Sequence, residues 1–173
     1  SCTHPTRLGL PGNGWSVSLL LPPDYSEHAP RYSVVYALHG KAGNEREFFD
    51  QFHLERHVTA QRMIFVMPGA TRTFYVDSAA GAYETAIVED LVPWVDAQYR
   101  TRPEPAGRGV AGQSMGGYGA LFLSLRHPDV FGPAYAIEPA LAWGQRPLAE
   151  WRPAVADVDH LLSADLVEGA EWD

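Results

Sequence analysis

The chain reads as an α/β domain built on a mostly parallel sheet. Three observations predict this. Residues 32–38 and 63–67 are short, nearly continuous apolar runs rich in β-branched side chains, as buried strands are. Between and after them lie stretches with apolar residues at helical spacing, so strands and helices alternate. A further strand, 109–111, runs through a glycine-flanked serine directly into a small-residue helix.

Taken in order, residues 15–21 form the first expected strand, because Trp15, Val17 and Leu19 alternate with small or polar residues. Pro22-Pro23-Asp24-Tyr25 ends it. The buried strand at 32–38 stops at His39-Gly40-Lys41-Ala42-Gly43-Asn44, a turn. Residues 45–61 look helical, with Asn44 as N-cap. The strand at 63–67 is closed by Pro68-Gly69. Tyr83, Ile87, Leu91, Val95 and Tyr99 recur every four residues and mark a long amphipathic helix. Pro93 sits inside it and removes a hydrogen bond, so a kink or restart is expected there. The strand at 109–111, a helix to about His127 and a strand at 134–137 follow. After Trp143 the pattern fades; residues 153–164 could form one short helix.

No internal repeat, low-complexity tract or linker interrupts this order, so residues 1–173 are expected to form a single domain. The formal net charge is −8 and no block of Lys and Arg occurs, which argues against nucleic-acid or anionic-membrane partners. The apolar runs are too short to span a bilayer. Cys2 is the only cysteine, so neither an internal disulfide nor a thiolate metal cluster can form. No signal peptide is visible, as would also hold for a matured chain, so cytoplasmic and secreted locations both stay open.

Gly112-Gln113-Ser114-Met115-Gly116 fits G-x-S-x-G, with a strand before it and a helix after it. That is the context of a nucleophile elbow. The chain turns so sharply that Ser114 must adopt a strained backbone conformation, and side chains at 112 and 116 would collide. The strain lifts the Ser114 hydroxyl above the sheet and aims the Met115 N–H into the same space.

Together with Leu21-Pro22-Pro23-Asp24-Tyr25, Leu38-His39-Gly40, Tyr75-Val76-Asp77-Ser78, Tyr83-Glu84-Thr85, Glu89-Asp90-Leu91-Val92-Pro93 and His127-Pro128-Asp129-Val130-Phe131, the elbow resembles the esterase branch of the α/β-hydrolase superfamily. That branch includes feruloyl and acetylxylan esterases, S-formylglutathione hydrolases and mycolyltransferases. The resemblance implies an α/β-hydrolase fold with helices on both faces of the sheet, reduced after the sixth strand. It implies a serine hydrolase that cleaves carboxylic esters through an acyl-Ser114 intermediate, without a cofactor. The oxyanion hole would be the backbone N–H groups of Met115 and Lys41, and Gly40 would let the backbone pass close to the substrate. His39 is expected to be structural, bonding nearby backbone. The substrate would be a small-molecule or polysaccharide-linked ester; hydrolysis and acyl transfer share the acyl-enzyme and stay open.

Ser114 needs a base, and the base needs an orienting acid. The family's usual acid and histidine positions fall beyond this chain. Of the two histidines after Ser114, His127 stands in a helix-end context, which leaves His160 as the base. Glu138 follows the strand at 134–137, where related esterases carry Ser-Gly and some lipases of the superfamily carry their triad acid. Ser114, Glu138 and His160 respect the superfamily order of nucleophile, acid and histidine; Asp157 and Asp159 are fallbacks for the acid. Phe74, Tyr75 and Tyr118 are expected to line or support the acyl or alcohol pocket; core packing is equally consistent with them. His53 and His57 have a spacing zinc can use, but H-E-x-x-H is absent and a solvated helix face is the better reading, so no metal site is expected. If the sheet stops after residue 137, its last strand offers an apolar edge on which a homodimer could form. Two other readings stay open: a noncatalytic binding relative, and a piece of an esterase whose acid and histidine are supplied elsewhere.

Overall fold

The computed structural model describes residues 2–7, 16–58, 62–79 and 81–141. Strands Cys2–Arg7 (β1), Ser16–Leu20 (β2), Ser33–Leu38 (β3), Met63–Pro68 (β4), Arg108–Gln113 (β7) and Ala134–Ile137 (β8) form one sheet in the order β1-β2-β4-β3-β7-β8. The β4, β3, β7 and β8 strands run parallel, while β2 is antiparallel to β4 and β1 to β2. A two-residue hairpin, Asp77–Ser78 (β5) and Gly81–Ala82 (β6), stands apart. The sheet is thus mostly parallel, as the alternation of apolar runs predicts. Strand β1 carries no apolar pattern and was not expected; Pro5 fits an edge strand, where its missing N–H breaks no ladder bond.

Side chains alternate along each strand, so each face has its own core. Val34, Tyr36, Leu38, Ile64 and Val66 face the larger core, which is covered by Tyr83–Thr85 (α3), a π-helical turn Ala86–Leu91, Val92–Gln98 (α4) and Met115–Arg126 (α5). Leu20, Ala37 and Met67 face the other side, where Phe48, Phe49, Leu54 and Val58 cover them. Helices therefore lie on both faces. Of those four residues, the first three come from two short helices, Glu47–Asp50 (α1) and Leu54–His57 (α2), and Val58 caps the second, in place of the single helix expected over 45–61. The break falls at His53, which has a left-handed φ of 47°. A straight helix would place Phe49 and Leu54 about 140° apart; the break brings both onto the sheet.

The four-residue spacing of Ile87, Leu91 and Val95 survives, and all three are fully buried. An α-helix rotates such a repeat by about 40° per step. The π turn has a wider i→i+5 ring, lowers the twist and keeps the residues on one face. It ends where α4 restarts, beside Pro93. The wider turn also removes the clash that a proline ring makes with the carbonyl one α-turn back.

The N-terminal end of β7 is fastened by Arg108, whose side chain is 5% exposed. It donates to Asp96 Oδ2 at 2.6 Å, Pro103 O at 3.0 Å and Val130 O at 2.8 Å. Thr101 Oγ1 donates to the other Asp96 oxygen at 2.6 Å. Removing one member of a buried pair strands the other's charge. Arg108→Ala is therefore expected to lower stability by about 3 kcal/mol, read by urea denaturation. A loss under 1 kcal/mol would contradict this role.

At the other edge β8 has no further neighbour among the described residues. Its Tyr135 is 67% exposed and its Ile137 47%. No helix among the described residues is long and apolar enough to cross a membrane.

Candidate active site

The carboxyl ends of the parallel strands converge, as ligand sites in open α/β sheets do. Strand β7 ends at Gln113 and α5 begins at Met115, so Ser114 alone makes the turn. Its φ of 53° and ψ of −117° lie outside the regions a non-glycine residue ordinarily occupies. A Cβ on Gly116 would stand 1.9 Å from the Leu38 carbonyl oxygen, and one on Gly112 would stand 2.4 Å from the Gly116 backbone. This is the collision expected at an elbow. Ser114 is exposed, while Met115 and Gly116 are buried beneath it. The end of β8 braces the turn: Ser114 N–H donates to Ile137 O at 3.0 Å, and Ala140 N–H donates to Ser114 O at 2.8 Å.

A cavity of about 640 Å³ opens over the serine, within the range of small-molecule sites. Ser114, Met115, Gly40 and Lys41 share its wall. Phe74, Pro139, Ala140 and Leu141 make an apolar side, and Glu47, Gln51 and Gln113 a polar one. As the first residue of α5, Met115 carries an N–H with no intrahelical acceptor. The serine and both expected donor residues thus meet on one cavity.

The turn bearing Lys41 is held from behind. His39 is 1% exposed; its Nε2 accepts from Ala70 N–H at 2.9 Å, so its proton is on Nδ1, 2.7 Å from Gly40 O. The Gly40 carbonyl and the Lys41 N–H belong to one planar peptide and point in opposite directions. Anchoring the carbonyl on His39 therefore turns the N–H away from His39. Tyr75 Oη donates to His39 O at 2.9 Å, which clamps the preceding peptide. His39 is structural, as expected. Burial holds its pKa below the ordinary value of 6.5, against the opposing hydrogen bond to Gly40 O. The folded protein then resists a proton that the unfolded chain accepts. This contribution to stability is complete above pH 6.5 and is lost as pH falls through the folded-state value. Melting temperature should fall between pH 7 and pH 5, and His39→Gln should flatten that slope; an unchanged slope in the variant would exclude His39 as its source.

Of the other expected residues, Gly40 and Phe74 line the cavity. Tyr75 is fully buried, its ring against Gly119, where a Cβ would come within 2.5 Å. Tyr118 packs edge-on to Phe74 at 5.6 Å and stacks on Phe122. Both tyrosines support the cavity wall from behind and are not among its lining residues. Phe74 and Tyr75 are consecutive left-handed residues, with φ of 54° and 63°; such backbone outliers collect at functional loops. Glu138 stands exposed at the end of β8, itself left-handed with φ of 42°. His160, Asp157 and Asp159 lie outside the described residues. His127 bonds Glu84 Oε1 at 2.7 Å at the far end of α5, a helix-end role as expected. Among the described residues no group of three His, Cys, Asp or Glu side chains is placed to hold a metal ion.

One residue at the site escaped sequence reasoning. Glu47 is 5% exposed; its Oε1 accepts from Gly40 N–H at 3.0 Å and from Gln113 Nε2 at 3.3 Å. A glutamate early in a short helix reads as solvated. No local sequence signal marks it; the structure shows that Gly43 leaves its room, since a Cβ there would stand 1.7 Å from Glu47 Oε2.

Fold and elbow together define the α/β-hydrolase class. The chain belongs to the esterase family: that family's model, described as "Putative esterase", matches residues 11–168. A Mycobacterium tuberculosis (strain H37Rv) esterase is 37% identical over an alignment of 131 residues that covers 70% of this chain and 28% of that protein. An endo-1,4-beta-xylanase/feruloyl esterase of Xylanibacter ruminicola is 31% identical over an alignment of 114 residues that covers 59% of this chain and 16% of that protein. This chain thus spans less than a third of the curated relatives named here. The solved structure of an S-formylglutathione hydrolase from Staphylococcus aureus has a TM-score of 0.72, covering 91% of this chain and 68% of that one, and at 18% identity it shares the fold.

Proposed function

We propose that the protein hydrolyses carboxylic esters through an acyl-enzyme on Ser114. The observation that carries this is the Ser114 backbone, held at φ 53° on a cavity it shares with Met115 and Lys41. Ser114 Oγ attacks the ester carbonyl carbon and gives its proton to a base. The carbonyl oxygen becomes an oxyanion facing the Met115 and Lys41 N–H groups, whose fixed donation stabilises it without reorganisation. Collapse releases the alcohol, which takes the proton from the base. Water then gives a proton to the same base and attacks the acyl carbon; collapse of this second oxyanion breaks the bond to Ser114 Oγ, releases the carboxylic acid and returns the proton to the serine.

We assign the base to His160 and its orienting acid to Glu138, on chain order and on Glu138 lying beside the elbow strand. Family membership supports ester chemistry, and the apolar wall of Phe74, Pro139, Ala140 and Leu141 suits an acyl or aromatic group. The relative named as a feruloyl esterase supports a small or polysaccharide-linked ester. Hydrolysis of nitrophenyl acetate and methyl ferulate tests this reading. Turnover above the buffer rate is expected, and its absence in the folded chain would contradict it. Glu138→Gln is expected to lower kcat by about 10²-fold or more with KM nearly unchanged, because the histidine loses its tautomer control. An unchanged kcat would remove Glu138 from the triad.

A further inference from the structure

We propose that Glu47 is a positioning residue for the oxyanion hole: its carboxylate ties the loop carrying Lys41 to the elbow carrying Met115. This deepens the reading of Ser114 as a nucleophile and rests on it. The two expected donors come from separate elements, the turn after β3 and the first residue of α5. An oxyanion hole works only if both reach one oxygen at about 2.7–3.1 Å, so something must set the spacing between the turn and the helix.

Glu47 Oε1 does so through a single atom. It accepts from Gly40 N–H at 3.0 Å, one peptide before the Lys41 donor, and from Gln113 Nε2 at 3.3 Å, one residue before the nucleophile. Behind it, His39 and Tyr75 hold the loop to the rest of the core, through Ala70 N–H on His39 Nε2 and Tyr75 Oη on His39 O. The Glu47 carboxylate is buried, where an unpaired one would be unfavourable. Gly43 leaves the room it occupies, since a methyl there would stand 1.7 Å from Oε2.

The test compares Glu47→Leu with Glu47→Gln. The leucine keeps bulk and removes the acceptor; the glutamine keeps an acceptor oxygen and removes the charge. With Glu47→Leu, kcat on a nitrophenyl ester should fall about 10–100-fold, as for a misplaced catalytic group. KM should stay within about threefold of wild type, because the donors that Glu47 positions act on the transition state. The rate of Ser114 labelling by a fluorophosphonate should fall in step with kcat. Glu47→Gln should stay within about threefold of wild type on both readouts. A folded Glu47→Leu with kcat near wild type overturns the proposal, and so does a Glu47→Gln that falls as far as the leucine variant. If Glu47→Leu does not fold, Gly43→Ala, which displaces the carboxylate without removing it, should give the same kcat loss; normal kcat there also overturns the role. If wild type itself neither turns over nor labels, the serine-hydrolase reading has failed separately. Hydrogen exchange at the Gly40 amide then decides: protection lost in Glu47→Leu and kept in Glu47→Gln supports the tie, and equal protection refutes it.

Discussion

Ser114→Ala should leave the fold intact and reduce ester hydrolysis by at least about 10⁴-fold, the scale seen when a serine nucleophile is deleted. The fold should survive because Ser114 is exposed and the bonds that brace the turn involve its backbone, Ser114 N–H to Ile137 O and Ala140 N–H to Ser114 O. Alanine keeps both. What disappears is the oxygen that forms the acyl bond. The donors and cavity remain, so substrate binding should change little and the loss should fall on kcat. Circular dichroism and a thermal melt establish the fold; nitrophenyl ester turnover establishes the loss. A folded alanine variant that works at the wild-type rate would mean that the elbow serine is not the nucleophile.

Gly116→Ala should be among the most damaging single methyls at the described glycines. Its Cβ would lie 1.9 Å from the Leu38 carbonyl oxygen and 2.5 Å from the Leu38 carbonyl carbon. These are backbone atoms of a central strand that pairs with both β4 and β7, so no side chain can swing aside. Either β3 and α5 separate or the elbow unwinds, and both move the Met115 donor away from Ser114. A destabilisation of about 4 kcal/mol or more is expected, in the range reserved for severe overpacking, with activity lost as well. Gly40→Ala is the control for stability. A Cβ there meets nothing closer than 3.8 Å, an ordinary contact, so its melting temperature should stay near that of wild type. A Gly116→Ala protein with near-native stability and turnover would show that the close approach is relieved cheaply and carries no function.

The parts of the molecule legible in the sequence are those governed by short-range sterics. The elbow is the clearest case, because glycines at 112 and 116 and the strained Ser114 follow from one another within five residues. Strands β3 and β4 were legible because burial on both faces leaves a run of apolar residues, and α4 because Pro93 announces a restart. The divided helix at 47–57 was hidden, since its break at His53 serves contacts with Leu20, Ala37 and Met67 that are distant in sequence. Glu47 was hidden for the same reason: its partners are Gly40 and Gln113, and nothing local distinguishes it from a solvated glutamate. The supporting role of Tyr75 depends on Gly119, 44 positions further along the chain, and on the carbonyl of His39. The position of Glu138 at a strand end was legible, but its left-handed backbone was not.

The central claim is that Ser114 is an activated nucleophile, and covalent labelling tests it most directly. A fluorophosphonate added to the intact 173-residue chain should attach once per molecule. Peptide mass spectrometry should place the adduct on Ser114, and Ser114→Ala should not label. Absence of labelling in the folded wild-type chain, or an adduct on a different residue, would contradict the account.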